Sequence, residues 1–246
     1  YICFDADVQE KKLEEPFEMP DFSKFPPPTK LQGDPSAMKE IAAMLVEAKN
    51  PVILADLLGR NEDAPNGLLR LADSLAIPVI SGGGLYSFPT RHSLNASESK
   101  DALLAEADVV VALDVYDLQQ QMTTQDWATR RNVDIIKPNT KLIDISLRQL
   151  QVKSWADDHG KLYPTAISLA ADTALAVPTL ADLVQRRLED GEGDAGEIAT
   201  RRSTVSKLHD DNLAASQQAA ASRSGEFPLS LASIAQQLWE VVKDDD

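Results

Sequence analysis

The sequence lacks most of the features that identify an enzyme or a membrane protein directly. Cys3 is the only cysteine, so neither an internal disulfide nor a zinc site built from cysteines can form. No apolar run approaches the roughly 20 residues of a membrane-spanning helix. The first residues have neither the basic segment nor the apolar core of a signal peptide. These absences predict a cytoplasmic location and no membrane partner.

Basic residues are scarce relative to acidic ones. Lys and Arg number 24 against 39 Asp and Glu, which gives a net charge of −15. A surface of this charge disfavours nucleic acids, whose phosphates need basic contacts, and also disfavours anionic membranes. Apolar residues still make up 43% of the 246 residues, which is enough for a sizeable core. The composition therefore predicts a globular protein without a nucleic-acid partner.

Short apolar runs alternate with amphipathic helical patterns between residues 34 and 190. This alternation predicts right-handed βαβ crossovers, and hence an α/β fold with a doubly wound, Rossmann-like parallel sheet of about six strands with helices on both faces. The clearest strand runs are VILA (52–55), IPVI (77–80), VVVAL (109–113), KLIDI (141–145) and AISLA (166–170).

The rest of the chain divides around this central segment. Residues 1–8 begin with a β-prone run and predict a strand, and the proline-rich residues 9–33 predict a linker. Residues 191–228 predict a second linker that contains a polar, Ala-rich helix, expected to pack on another domain. Residues 229–246 carry an amphipathic helix whose apolar stripe has no other segment to cover it. We therefore expect the chain to be a piece of a longer protein.

No standard phosphate-binding or nucleophile motif is present, since a P-loop, a G-x-G-x-x-G fingerprint and a G-x-S-x-G elbow are all absent. No residue set predicts a catalytic or a metal site. Candidate binding residues follow from topology, because open α/β sheets bind ligands at the carboxyl ends of their strands. The candidates are Gly59, Arg60, Gly82, Gly83, Gly84 and Asp144. The glycines would let backbone N–H groups approach a phosphate, Arg60 would pair with that phosphate, and Asp144 would accept a hydrogen bond from a ribose hydroxyl.

Each candidate also has an alternative without a ligand. The triple glycine suits a tight turn, Arg60 suits a solvated or interface position, and Asp144 suits a loop or helix cap. On this evidence a nucleotide-binding site and a purely structural sheet edge both remain open.

The order of several segments resembles the thiamine-diphosphate-dependent enzymes of the acetolactate synthase and 2-oxo acid decarboxylase type. The most specific match is FPTRHSLN (88–95), which is similar to the family's F-P-x-x-H-P-L segment. Other segments follow in the family's order. They are YICFDADV (1–8), PVILA (51–55), LADSLAIPVI (71–80), ADVVVAL (107–113), LIDIS (142–146) and the segment from Pro228 to Leu238.

This resemblance implies the central domain of a three-domain enzyme. Residues 1–8 would close a pyrimidine-binding domain, residues 34–190 would form the central domain, and residues 229–246 would open a pyrophosphate-binding domain. The family's catalytic glutamate and its motif for Mg²⁺ and thiamine diphosphate lie in the two flanking domains. The chain alone is therefore expected to be inactive, with those flanking domains as its partners in a parent homodimer or homotetramer.

Some members of that family hold FAD or ADP in the central domain, but this sequence departs from their pattern. Asp56, Leu57 and Leu58 fill a turn in which FAD-binding members usually have several glycines. The family's G-x-R-F-D segment reads LDVYD at 113–117, without its arginine. Added carboxylates repel a diphosphate, so tight binding of FAD or ADP is disfavoured. A standalone nucleotide-binding domain and an assembly module are the alternative functions.

Overall fold

Seven strands are present among the described residues, and five of them form one parallel sheet. The computed structural model describes residues 3–12, 18–61, 63–82, 85–148, 163–223 and 227–243. Its strands are β1 (Pro51–Ala55), β2 (Val79–Ile80), β3 (Val109–Leu113), β4 (Thr123–Gln125), β5 (Asn132–Asp134), β6 (Lys141–Ser146) and β7 (Ile167–Ala170). The large sheet has the order β2-β1-β3-β6-β7 with every pair parallel, while β4 and β5 form a separate antiparallel hairpin.

The helices among the described residues are α1 (Ala6–Glu10), α2 (Pro35–Glu47), α3 (Asp63–Leu75), α4 (Lys100–Glu106), α5 (Leu118–Met122), α6 (Thr173–Glu189), α7 (Ala195–Ser222) and α8 (Leu231–Val242). Helices α2 to α6 cover the two faces of the large sheet. Asp34 caps α2 through the amides of Ser36 and Ala37, and Pro35 occupies the first turn, as the sequence predicts. Helix α6 packs against both α2 and α3.

Alternate residues of each strand point to opposite faces and build two apolar clusters. Ile53, Val111 and Ile143 lie in the larger cluster, under α2, α3 and α6. Val52, Val110 and Leu142 face the smaller cluster, which α4 and α5 cover. The near-continuous burial of β1 and β3 follows from this two-sided covering.

Helix α7 crosses the amino-terminal ends of the strands and is held mainly by polar contacts. Val205 and Ala220 are its only buried residues in the described part of the chain. The Arg201 guanidinium instead donates to the carbonyl oxygens of Leu75, Ala48 and Lys49, at 2.6, 2.9 and 3.0 Å. These carbonyls end α3 and α2, where a cation complements the helix dipoles.

The sheet confirms the predicted α/β fold, with five strands among the described residues where about six were expected. On the outer side of β2 a single parallel bridge joins Val79 to Asn95. The polar helix predicted within 191–228 is present as α7, and it contacts the α/β unit through Arg201. Packing of α7 on a further domain stays a prediction.

Residues 1–8 are expected to close the sheet of a flanking domain, so that prediction needs strands other than those described here. In this structure Cys3, Phe4 and Asp5 belong to no strand, and α1 begins at Ala6. Tyr1 and Ile2 lie outside the described residues. Residues 18–32 are exposed, with one 3-10 turn at Phe22–Lys24. Whether the ends belong to flanking domains stays a prediction.

Candidate functional site

The strand order places a switch point between β1 and β3. The chain runs from β1 outward to β2 on one side, and from β3 through β6 to β7 on the other. Loops leave the sheet in opposite directions at such a point and open the crevice in which doubly wound folds bind ligands. The loop after β1 and the loop after β3 are therefore the elements to inspect.

An ion pair bridges the two loops. Nη2 of Arg60 lies 2.8 Å from Oδ1 of Asp114, whose side chain is 4% exposed. Oδ2 of the same carboxylate accepts a 2.5 Å hydrogen bond from Oγ1 of Thr173, the first residue of α6. Both oxygens of Asp114 are thus engaged by this chain's own side chains. We call Arg60, Asp114 and Thr173 the switch-point lock.

Burial and charge act on Asp114 in opposite directions. Burial raises the pKa of its carboxyl above the usual value of 3.8, while the Thr173 hydroxyl and the Arg60 guanidinium lower it. Asp114 also has a φ of +49°, in the left-handed region that glycine adopts most readily. The residue is therefore held in place by its partners against both backbone preference and desolvation.

Further contacts join the loops after β1, β2 and β3. Oδ2 of Asp56 accepts from the Tyr116 amide at 3.1 Å, and the Ser87 hydroxyl donates to the Asp56 carbonyl at 3.0 Å. A Cβ on Gly59 would lie 1.5 Å from the carbonyl oxygen of Tyr86, so only glycine fits there. The glycine admits the neighbouring loop rather than a phosphate.

The structure brings together only part of the predicted site. Gly59 and Arg60 both belong to the 3-10 turn Leu58–Arg60, which brings Arg60 into the lock. Gly82 is exposed, and a Cβ built on it has open space around it. Gly83 and Gly84 lie outside the described residues.

Asp144 is buried within β6, in register with Ala112 of β3. Its Oδ2 accepts from the Ser146 hydroxyl at 3.4 Å. A loop or helix-cap position for Asp144 is therefore wrong, since the residue lies inside a strand.

Sequence reasoning places the carboxylates of 113–117 at the edge where ligands bind but does not select Asp114 as a site residue. It misses Thr173 entirely, because the approach of Thr173 to Asp114 depends on where α6 begins in space, 59 residues further along the chain.

The groups at the crevice suit a diphosphate poorly. A phosphate site needs N–H donors or free cations, whereas Asp114 presents a carboxylate, Tyr86 presents a carbonyl oxygen, and Arg60 is already paired. Elsewhere in the described part of the chain, no three His, Cys, Asp or Glu side chains converge in a way that would hold a metal ion.

Comparison with known proteins identifies the family. The family model of the thiamine pyrophosphate enzyme central domain matches residues 38–180, more than half of the chain. The chain belongs to the thiamine pyrophosphate enzymes. The matched residues run from α2 to α6 and include the whole five-stranded sheet, and therefore also Arg60, Asp114 and Thr173.

Individual relatives of this thiamine pyrophosphate enzyme domain are distant. The sulfoacetaldehyde acetyltransferase of Roseovarius nubinhibens is 26% identical over 198 residues, which are 77% of this chain and 30% of that protein. The benzoylformate decarboxylase structure from Polynucleobacter necessarius superposes with a TM-score of 0.49 at 19% identity, over 70% of this chain and 30% of that one. The chain thus spans about a third of the length of the relatives it matches.

Helices of membrane-spanning length and apolarity do not occur in the part of the chain that the structure describes.

Proposed function

We propose that this chain is the non-catalytic central domain of a longer thiamine-diphosphate-dependent enzyme. The family match supports the domain, and the relative at 26% identity, a sulfoacetaldehyde acetyltransferase, supports a parent that transfers an acyl group. The parent would form or cleave C–C bonds in 2-oxo acids or acyloins, or transfer an acyl group derived from them. Thiamine diphosphate and its Mg²⁺ would be held by flanking domains, in a homodimer or homotetramer.

The switch-point lock is the observation that carries the non-catalytic role. Ligands of doubly wound sheets bind in this crevice, and here Arg60 reaches across it to a buried carboxylate. A ligand entering the crevice would have to separate the pair and leave Asp114 buried without its cation, which is costly. The central domain would then act as a rigid structural support between the two flanking domains. The lock also argues against the alternative of a standalone nucleotide-binding protein.

Activity assays would identify the reaction of the full-length enzyme. Turnover of sulfoacetaldehyde, 2-oxo acids and acyloins would be measured for the full-length natural protein and for this chain, each with thiamine diphosphate and Mg²⁺. We expect turnover by the full-length protein only. Turnover by the 246-residue chain alone would contradict the proposal, and so would a native protein no larger than this chain.

A further inference from the structure

A single segment, residues 85–99, extends from the switch-point crevice to helices α7 and α8. It lies between β2 and α4, includes the FPTRHSLN sequence (88–95), and is described throughout by the structure. Apart from the 3-10 turn Ser97–Ser99, these residues belong to no helix and to no strand of the sheets. Side chains and isolated backbone contacts therefore fix its conformation. We call residues 85–99 the connecting segment.

The first residues of the connecting segment press against the turn that follows β1. The Tyr86 carbonyl oxygen occupies the space that a Cβ on Gly59 would take, and the Ser87 hydroxyl donates to the Asp56 carbonyl at 3.0 Å. The same turn carries Arg60 into the switch-point lock. This end of the connecting segment is thus seated on one half of the lock.

The middle of the connecting segment is anchored in the apolar core and to the edge strand β2. The buried Phe88 ring meets the His92 imidazole edge to face, with 4.9 Å between the ring centroids. The Val79 amide donates to the Leu94 carbonyl, and the Ala96 amide donates to the Val79 carbonyl, both at 2.9 Å. Because the core around it is close-packed, this part cannot shift without moving its neighbours.

His92 links the connecting segment to the first half of α7. The Leu94 amide donates to Nδ1 of its imidazole at 3.2 Å, so the ring proton lies on Nε2. This Nε2 is 3.6 Å from Oδ2 of Asp73 in α3, and Oδ1 of the same carboxylate is 3.1 Å from Nη1 of Arg202 in α7. One carboxylate therefore joins the histidine of FPTRHSLN to α7.

The last residues of the connecting segment hold the second half of α7. Nδ1 of His209 donates to the Asn95 carbonyl at 2.8 Å, since a carbonyl oxygen can only accept. The Asn212 side-chain amide donates to the Ser99 hydroxyl at 2.8 Å. Together with the contact through Asp73, these hydrogen bonds fix α7 at points along its length.

Polar contacts decide the direction of α7 and α8 because these helices bury few side chains. In the described part of the chain, Val205 and Ala220 are the only buried residues of α7, and Ser233 is the only one of α8. The connecting segment also reaches α8, since the Arg91 guanidinium lies 4.1 Å from the ring centroid of Trp239. Apolar burial is non-directional, whereas hydrogen bonds and a cation over a ring favour one orientation.

We propose that the connecting segment is a positioning element, through which the switch-point lock fixes where α7 and α8 lie on the α/β unit. Its first residues rest on the turn of the lock and its last residues hold both helices, so a displacement at one end must break contacts or move the other. The lock thereby gains a role without any ligand, as the fixed base of these helices. This role lies within the described chain and does not depend on the proposed function.

Two buried glycines allow a matched test, because a methyl group on either one meets a neighbour. Gly59→Ala pushes on Tyr86 at the start of the connecting segment. Gly33→Ala is the control, since its Cβ would lie 2.9 Å from Cδ2 of Leu169 in β7, on the opposite edge of the sheet. Amide hydrogen exchange of the whole chain would be compared, in each variant, between the two helices and the central strand β3.

We expect G59A to accelerate exchange in α8 and in the second half of α7 about tenfold more than in β3. G33A should accelerate the helices no more than β3. If G59A instead accelerates them no more than β3, or if G33A produces the same selective effect, the proposal is overturned.

Further variants loosen the crevice end without a steric clash and keep the test decisive if G59A fails to fold. Ser87→Ala removes the hydrogen bond to Asp56, and Arg60→Ala frees the turn of the lock. Both should reproduce the selective acceleration at smaller size. Because coupling between two sites is reciprocal, His209→Ala should in turn accelerate exchange in residues 58–60 and 86–87. Effects of S87A and R60A confined to the crevice, together with effects of H209A confined to α7, would refute the coupling.

Discussion

Nη2 of Arg60 lies 2.8 Å from Oδ1 of Asp114, across the point where the loops of β1 and β3 diverge. The two residues are 54 positions apart in sequence, and each follows a different strand. Their contact fills the place where this architecture ordinarily admits a ligand.

Removing Arg60 should cost more stability than removing a surface arginine. Arg60→Ala leaves a buried carboxylate without its cation, and we expect the free energy of unfolding to fall by about 1–2 kcal/mol. Arg70→Ala is the matched control, since Arg70 also lies 2.8 Å from its partner, Asp182, but both side chains are more than half exposed. It should cost less than about 1 kcal/mol. Equal losses in denaturant titrations would contradict the special role of the buried pair.

The stability of the fold should carry a pH signature from Asp114. Burial raises the pKa of this carboxyl above 3.8, whereas in the unfolded chain it titrates near that value. Its contribution to stability is therefore full below the ordinary pKa and is lost as the pH rises through the raised one. We expect the wild-type chain to gain stability relative to Asp114→Asn as the pH falls through this window. A difference that shrinks on acidification would show that the pKa is lowered instead.

Glycines at the sheet edge should differ in their tolerance of a methyl group. Gly59→Ala places Cβ 1.5 Å from the Tyr86 carbonyl oxygen, so the backbone must move. We expect a loss of about 1–3 kcal/mol or more in the free energy of unfolding. Gly82→Ala meets nothing within 4 Å and should change stability little. Comparable losses for both variants would argue that the loop after β2 does not press on Gly59.

Helix α7 should depend on Arg201 more than on its neighbour Arg202. Arg201 satisfies three carbonyls at the ends of α2 and α3, whereas Arg202 pairs with Asp73 at the surface. Arg201→Met leaves these carbonyls without donors, and amide exchange along α7 should accelerate about tenfold or more. Arg202→Met should have a smaller effect. Unchanged exchange in Arg201→Met would mean that apolar packing alone holds the helix.

The sequence predicted the fold well because its signals are local. Short, continuous, β-branched apolar runs such as residues 109–113 are typical of buried strands, and their alternation with helices implies parallel crossovers. The register is not local information, and the position of Ile53 between Val79 and Val111 is known only from the structure. About six strands were expected, and at the edge of the sheet beside β2 the structure has only an isolated bridge from Val79 to Asn95.

The candidate site was harder to predict because its contacts join distant segments. Arg60 was found from its position after β1, but the sequence does not reveal that its partner is a carboxylate rather than a phosphate. Gly59 was assigned to ligand approach, while in the structure its missing side chain admits the Tyr86 backbone. A glycine can make room either for a ligand or for a neighbouring loop, and only the residues around it in the structure distinguish these two roles.

Calorimetric titration of the chain with FAD, with ADP and with thiamine diphosphate plus Mg²⁺ tests the account most directly. We predict no saturable heat with any of the three, because the switch-point lock closes the crevice and because the residues that hold thiamine diphosphate and Mg²⁺ are expected in the flanking domains. Saturable binding of FAD or ADP that is altered in Arg60→Ala would show that the pair opens for a ligand. Saturable binding of thiamine diphosphate would contradict a non-catalytic central domain.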